Sequence, residues 1–200
     1  MFDDDVTTVA FTERDARQIA RNLRRKNVAF LQTLVEQYQY RLIRYLIYLL
    51  GRREGVDDLV QETWLRVLER GSSYDGHSRF EPWLFRIARN LALDDLRKRR
   101  FVSLDSTPGN EWDAAALSPA SRAPSPFLLA ARSEDAQRLA SSMQTLDPAH
   151  REALVLRFQE ELSLQEISIV VDAPVSTVAS RIYRALATLR TQLEEPNHDL

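Results

Sequence analysis

Apolar residues recur every three or four positions through most of the chain, and this spacing predicts amphipathic helices. Gly51 and Gly71 follow two of these segments, whereas Pro82 and Pro148 stand where helices commonly begin, the second directly after a capping Asp147. The pattern indicates no strand and no internal repeat. Helices are predicted over 13–50, 57–70, 82–100 and 134–146, from 148 onward, and over 163–171 and 176–194.

Residues 101–133 interrupt the helical pattern. This segment is rich in Ser, Pro and Ala, contains four prolines and shows no sustained apolar period. We interpret it as a flexible linker with Trp112 and 127–129 as candidate docking points, and the alternative is an ordered loop packed on one domain. The predicted fold is therefore all-α, with two small helical domains at 24–100 and 134–195 and an N-terminal extension at 1–23.

Composition narrows the possible functions. The 200 residues are 44% hydrophobic and 28% charged, which is typical of a folded globular protein. There is no cysteine, and the three histidines are far apart, so we expect no disulfide, metal site or cofactor. No nucleophile–base pair and no glycine-rich phosphate loop is evident, which argues against an enzyme.

The N-terminus and the hydropathy pattern bear on location. The first residues, "MFDDDVTTVAF", are acidic where a signal peptide would be basic. No apolar run approaches the roughly 20 residues of a membrane span. We therefore expect a cytoplasmic protein without membrane insertion.

Charge is unevenly distributed along the chain. The net charge is −2, but residues 1–100 hold 19 Lys and Arg against 15 Asp and Glu, whereas residues 101–200 hold 8 against 14. The predicted helix 82–100 places Leu84, Ile87, Ala88 and Leu91 on one face. The opposite face carries a basic stripe with one amide, made of Arg86, Arg89, Asn90, Arg97 and Arg100.

This basic stripe suits nucleic acid, because arginines hold phosphates and an amide can read a base edge. The helix also ends in four consecutive basic residues, 97–100, which exceeds what its dipole requires. The preceding loop, 72–81, carries Tyr74, His77, Arg79 and Phe80, and aromatic and basic side chains suit unstacked bases. The alternatives are a solvated helix face and, above all for Phe80, a loop aromatic that covers the core.

The segment 162–190 has the pattern of a helix-turn-helix, with a short helix, a turn containing Pro174 and a longer second helix. Residues 175–191 hold three arginines and no acid within an otherwise acidic half. The alternative is a helical interaction bundle. In the second helix, Val178, Ile182, Ala185, Leu186 and Leu189 are predicted to be buried, and Thr177, Ser180, Arg181, Arg184 and Thr188 to face outward.

Four motifs occur in order: "DDLVQETWLRVL", "FEPWLFRIARNLALDDLRKRR", "LDPAHREALVLRF" and "LSLQEIS…VSTVASRIYRALATLR". Together they resemble bacterial RNA polymerase sigma factors of the sigma-70 family, extracytoplasmic-function (ECF) group. The resemblance implies a region 2 bundle at 24–100 and a region 4 helix-turn-helix at 134–195. It implies a protein that binds core polymerase, recognises the −10 and −35 promoter elements and initiates transcription of a specific regulon.

The resemblance also assigns site residues. The helix opened by "DDLVQET" would dock on the clamp of the polymerase's largest subunit, although its acidic first turn has a second interpretation in which Asp57 or Asp58 caps the helix. Core-binding candidates are Asp58, Gln61, Glu62, Trp64 and Leu65. Candidates for the −10 element are Tyr74, His77, Arg79, Arg86, Arg89, Asn90, Arg97 and Lys98, with Asn90 at the flipped base. Candidates for the −35 element are Ser176, Thr177, Ser180, Arg181 and Arg184.

The resemblance further implies that the linker runs toward the polymerase active centre and that an anti-sigma factor holds the protein inactive. Two positions depart from the family pattern. Val171-Asp172 replaces a common Leu-Gly in the turn, and Ala179 replaces a frequent basic residue, which suggests weaker −35 binding or different bases. The competing hypothesis is a free-standing, dimeric helix-turn-helix regulator that binds duplex DNA without polymerase.

Overall fold

The computed structural model describes residues 13–103 and 134–194, and every regular element in these ranges is helical, as predicted. No helix within them is long and apolar enough to cross a membrane. The α-helices are α1 (Glu13–Arg24), α2 (Val28–Leu50), α3 (Val56–Arg70), α4 (Phe80–Ser103), α5 (Glu134–Thr145), α6 (Pro148–Leu154), α7 (Leu164–Val171) and α8 (Val175–Glu194). A 3-10 turn, Gly71–Ser73, follows α3, and a π-helical turn, Val155–Gln159, continues α6.

The prediction of one continuous helix over 13–50 is wrong, because the chain turns between α1 and α2. Lys26 adopts a left-handed φ of 50°, which no helix continues. Asn27 then caps α2, and its side-chain oxygen accepts a hydrogen bond from the Phe30 N–H at 3.2 Å. The predicted stop at Gly51 is confirmed by its left-handed φ of 67°.

Two predicted helix starts are also corrected. Gly55 occupies the N-cap position of α3 without a side-chain cap, and Asp57 instead pairs with Arg53 at 2.8 Å. Helix α4 begins at Phe80 rather than at Pro82. Proline is tolerated there because the first-turn N–H groups have no partner within a helix in any case. Helix α4 also runs on to Ser103, into the start of the predicted linker, whose remaining residues and docking points lie outside the described ranges.

The capping of the C-terminal helices follows the sequence closely. Asp147 accepts a hydrogen bond from the Ala149 N–H at 2.9 Å, with Pro148 at the first helical position as predicted. Ser163 and Glu166 form a reciprocal capping box at the start of α7. These local bonds fix where α6 and α7 begin.

Helices α2, α3 and α4 enclose the core of the N-terminal half. Tyr45 and Phe85, both fully buried, meet edge to face with ring centroids 5.1 Å apart. Helix α1 packs on the end of α3, where a Cβ added at Gly71 would lie 2.8 Å from the Leu23 Cβ. Only glycine permits this approach, which brings α1 into the same core.

The two halves pack against one another, a feature that the sequence did not predict. Val155, Leu156 and Ile167 of the C-terminal half belong to the same buried cluster as Tyr45 and Phe85. A smaller cluster lies within the C-terminal half and ties α8 to α6 through Leu146, Leu154, Ala185 and Leu189. The first cluster therefore holds α7 against α4, next to the predicted basic stripe.

Candidate nucleic-acid interface

Helix α4 presents part of its basic stripe to solvent. Arg86 and Asn90 of the stripe are exposed, as is the adjacent Lys98, whereas Arg97 donates to the Asp94 carboxylate at 2.6 Å. The buried face of α4 consists of Leu84, Phe85, Ala88 and Ala92, while Ile87 and Leu91 are only half-buried. This face is rotated relative to the prediction, and the rotation carries Arg89 away from solvent.

Arg89 is held by the C-terminal half. Its Nε donates to Oε1 of Glu152 at 2.8 Å, and the same carboxylate oxygen accepts the Tyr45 hydroxyl at 2.7 Å. Burial lowers the pKa of the Arg89 guanidinium, but the nearby Glu152 carboxylate more than offsets this, so that its pKa is raised overall. Burial also raises the pKa of the Tyr45 hydroxyl well above its ordinary value, and Glu152 adds to the shift. The Arg89 guanidinium therefore stays charged and the Tyr45 hydroxyl stays protonated at neutral pH.

The loop before α4 divides into buried and exposed side chains. The Tyr74 side chain, predicted to contact DNA, is only 2% exposed, and its ring lies 5.4 Å from Phe80 and 5.5 Å from Trp83. Its hydroxyl donates to the Ser78 carbonyl oxygen, and burial raises its pKa. Tyr74 therefore supports the loop from within in this arrangement, whereas His77 stands at the exposed tip.

Arg79 bridges the two halves rather than facing solvent. It donates to the Glu161 carbonyl oxygen at 3.3 Å and lies 3.7 Å from the Glu166 carboxylate, both in the C-terminal half. It also pairs with Glu81, the second residue of α4, at 3.3 Å. Arg79 and Arg89 are thus both engaged by the C-terminal half.

Helix α3 presents a mixed acidic and apolar face. Asp58 and Gln61 are exposed, and the Leu65 side chain is 54% exposed. Glu62, on the same face, accepts from Arg66 at 2.9 Å. Trp64 points instead into the core and is 8% exposed, because it follows Val60 and precedes Val67 on the buried stripe.

The helix-turn-helix is formed by α7 and α8. Asp172, at the end of α7, has a left-handed φ of 53°, a conformation in which a non-glycine residue is strained. Ser176, Ser180 and Arg184 are exposed on α8, while Thr177 and Arg181 are half-buried. The Leu186 side chain, predicted to be buried, is 45% exposed. Of the five residues predicted to face outward, Ser180, Arg184 and Thr188 are exposed.

Comparison with known proteins assigns both halves to one family. Residues 34–102 match the model "Sigma-70 region 2", and residues 136–189 match "Sigma-70, region 4". The ECF RNA polymerase sigma factor SigW of Bacillus subtilis is 30% identical over 81% of this chain and 88% of its own length. The chain belongs to the ECF sigma factors.

A second relative and a solved structure extend the comparison. BldN, an ECF sigma factor of Streptomyces coelicolor, is 33% identical over 81% of this chain, which spans only 60% of that relative's length. The structure of CnrH in complex with the cytosolic domain of CnrY superposes with a TM-score of 0.62 and 26% identity. The superposition covers 90% of this chain and 97% of the CnrH chain.

Two features of this ECF sigma factor escaped the sequence analysis. The Tyr183 side chain is 76% exposed beside the outward face of α8. Arg41 and Arg44 of α2 both bind the fully buried carboxylate of Glu160, at 2.7 and 2.8 Å. The two arginines are three residues apart in the C-terminal half of α2, which is otherwise apolar, a signal that could have predicted a buried carboxylate partner.

Proposed function

We propose that this chain binds core RNA polymerase, recognises −35 and −10 promoter elements and initiates transcription of a specific set of genes. The observation that carries the proposal is the presence of both sigma regions in order, each with a DNA-type helix that faces solvent. Helix α4 exposes Arg86 and Asn90, and helix α8 exposes Ser180 and Arg184. A free-standing regulator would need only the second of these helices.

The exposed face of α3 is the proposed contact with the polymerase clamp. Asp58, Gln61 and Leu65 combine an acid, an amide and an exposed apolar side chain on one helical stripe. A mixed surface of this kind suits a protein partner, because the leucine supplies buried area and the polar groups supply orientation. Glu62 contributes its half-buried carboxylate to this contact. Trp64 supports the contact indirectly, because it anchors the helix in the core.

The −10 element is proposed to bind along α4 and its preceding loop. Arg86 and Lys98 are placed to hold phosphates, and the Asn90 amide is placed to pair with a flipped base. His77 at the loop tip offers a ring for stacking. Arg79, Arg89 and Arg97 extend this surface once they leave their carboxylate partners, while Tyr74 supports the loop.

The −35 element is proposed to bind the outward face of α8 in the major groove. Arg181 and Arg184 lie three residues apart, a spacing that allows both to reach one groove. Ser176, Thr177 and Ser180 add hydroxyl groups at the start of the same helix. Because Ala179 is uncharged, phosphate binding by α8 depends on few arginines. We therefore expect the affinity for the −35 element to depend strongly on each of them.

The proposed function places the chain in the cytoplasm together with RNA polymerase. It also implies a regulatory protein partner. CnrH, a structural neighbour, was solved with the cytosolic domain of CnrY bound. An anti-sigma factor of comparable role is the partner that we propose for this chain.

Co-purification with core polymerase, followed by transcription from genomic fragments, tests the proposal directly. The tagged chain should retain core polymerase and direct selective transcripts. Asp58→Arg should weaken the association, whereas Asp57→Arg removes an equivalent first-turn acid one position away and should leave it largely intact. Tight duplex binding by the isolated chain, without polymerase association, would establish the free-standing regulator instead.

A further inference from the structure

Helix α1 carries a row of arginines on the side that faces solvent. Arg14, Arg17, Arg21 and Arg24 follow one another at spacings of three, four and three residues, and all of them are exposed. At 3.6 residues per turn, these spacings place them within an arc of about 80° that contains no acid of α1. The buried residues of the helix lie on its other side. These four residues form the α1 arginine row.

Exposed arginines on the helices of this chain are of two kinds. Arg66 and Arg190 each pair with a carboxylate four residues away on the same helix. Arg86, which is proposed to contact DNA, forms no ion pair with any residue in the described ranges. Arg21 and Arg24 of the row likewise have no ion-pair partner among residues 13–103 and 134–194. They therefore resemble the proposed DNA contacts rather than the paired surface arginines.

The arginine row destabilises the helix that carries it. Like charges three or four residues apart repel one another on a helix. The partial negative charge at the end of α1 favours Arg21 and Arg24, but the partial positive charge at its start disfavours Arg14, the second residue of the helix. Solubility does not require this arrangement, since a face of mixed charge serves as well. A bound anion would remove the repulsion.

Two glycines determine where the row lies. A Cβ added at Gly76 would lie 3.1 Å from the Cα of Arg17, and one added at Gly71 would lie 2.8 Å from the Cβ of Leu23. Arg17 is therefore a direct neighbour of the residue that precedes His77, the exposed tip of the loop proposed to bind unstacked bases. The row extends over about 15 Å along α1, a length that covers several nucleotides of one strand.

Further basic side chains surround the row. Arg25 and Lys26 follow α1 directly, and Arg70 precedes the glycine that contacts the end of α1, and all three are exposed. Residues 13–26 hold six basic and two acidic residues in a chain whose net charge is −2. This local excess of positive charge is typical of a surface that binds an extended polyanion.

The same surface lacks what a protein partner would use. No large apolar side chain is exposed between residues 13 and 27, whereas the proposed polymerase-binding face of α3 exposes Leu65. Protein interfaces have an apolar centre, and charged residues are depleted there. Phosphate binding needs only the guanidinium donors that the row supplies. The observations therefore favour nucleic acid.

We propose that the α1 arginine row binds the phosphates of the single DNA strand that continues past the loop 72–79, next to the −10 element. The proposal rests on the proposed function, because it takes the −10 element to be seated on that loop. Guanidinium contacts to phosphates carry no sequence information, so the row adds affinity and holds the opened strand in place. The choice of promoter is left to α4 and α8.

The first test is the salt dependence with which the full chain binds a short, fluorescein-labelled single-stranded DNA of random sequence. The test variant is Arg21→Gln, Arg24→Gln, and the matched control is Arg138→Gln, Arg190→Gln, which removes two exposed arginines from α5 and α8. If Arg21 and Arg24 each hold one phosphate, the slope of log K against log salt becomes shallower by about 1.4, and the affinity at low salt falls roughly tenfold. The control should match the wild type. Unchanged binding by the test variant, or equal losses in both variants, overturns the proposal.

Charge-preserving substitutions separate phosphate binding from a structural role of α1. Arg21→Lys, Arg24→Lys keeps both positive charges and should restore most of the slope. Urea unfolding should give all these variants the stability of the wild type, because both side chains are exposed. Lysine variants that fold normally but bind as weakly as the glutamine variants would overturn the phosphate contact.

Photo-crosslinking locates the strand in the complete complex. The chain contains no cysteine, so Gln18→Cys, an exposed position beside the row, gives a unique site for a photo-crosslinker, and exposed Gln37→Cys on α2 is the control. In a polymerase–promoter complex, position 18 should crosslink to the single strand next to the −10 element, and position 37 should not crosslink to DNA. A crosslink from position 18 to a polymerase subunit alone would overturn the proposal. Failure to associate with polymerase would overturn the sigma function instead, while the random single strand would still decide whether the row binds DNA.

Discussion

The backbone carbonyl oxygen of Ala16 lies against Gly76, so closely that a Cβ added at Gly76 would approach it at 2.9 Å. Gly76 also has a φ of 76°, which glycine adopts without strain. Helix α1 therefore packs directly on the loop whose tip is His77. Part of the N-terminal extension predicted from the sequence is thus a support for the proposed −10 loop.

Gly76→Ala should destabilise the protein by about 3 kcal/mol, because backbone strain and a clash with a backbone atom act together. Gly55→Ala is the matched control. Gly55 has a similar φ of 75°, but its added Cβ would meet only the flexible ends of Arg52 and Arg99. We expect about 1 kcal/mol there from backbone strain alone. Urea unfolding measures the free energy of unfolding of both variants. Equal losses of stability would show that Ala16 does not constrain the loop.

The helices with strong local signals were predictable, and the turns without them were not. Asp147 and Pro148 mark the start of α6, and Gly51 marks the end of α2, because each acts through its own backbone geometry. The turn at Lys26 contains neither glycine nor proline, and the apolar period continues across it. Nothing in the local pattern therefore separates α1 from α2.

The candidate site was predictable where exposure follows helical spacing. Arg86, Asn90 and Arg184 are exposed as their spacing indicates. The exposure of Arg89 was predicted wrongly because its partner, Glu152, is 63 residues away in sequence, and periodicity carries no information about such contacts. The packing of the two halves decides which basic side chains remain at the surface.

Glu161→Gly should raise stability by up to about 1 kcal/mol. Glu161 is exposed and has a left-handed φ of 55°, a strain that glycine removes, although glycine gains entropy in the unfolded chain. The carbonyl that accepts from Arg79 is retained. Glu161→Gln removes the charge without relieving the strain and should leave the thermal midpoint unchanged. A matching gain in the glutamine variant would assign the effect to charge instead.

The protein should lose stability in alkali above about pH 10. Burial raises the pKa of Tyr45, Tyr38 and Tyr74 above the ordinary tyrosine value of about 10, and nearby carboxylates add to each shift. Above that pH the unfolded chain releases these protons while the folded chain retains them, so stability falls as pH rises. Urea unfolding between pH 8 and 11 measures the slope. Tyr45→Phe should make the slope shallower, and an identical slope would exclude Tyr45 as a source.

Arg181→Ala and Arg184→Ala should each weaken binding of a −35 duplex by the polymerase-bound chain by about 1–3 kcal/mol if the side chain reaches a base edge. Arg190→Ala is the control on the same helix, because Arg190 is paired with Glu194 at 2.7 Å near the end of α8. Competition between promoter variants separates contacts to base edges from contacts to phosphates. Loss of a base contact relaxes specificity at one position, whereas loss of a phosphate contact weakens all sequences alike and reduces the salt dependence. Equal, sequence-independent losses in all three variants would mean that α8 contributes charge alone and that the bases are read by another element.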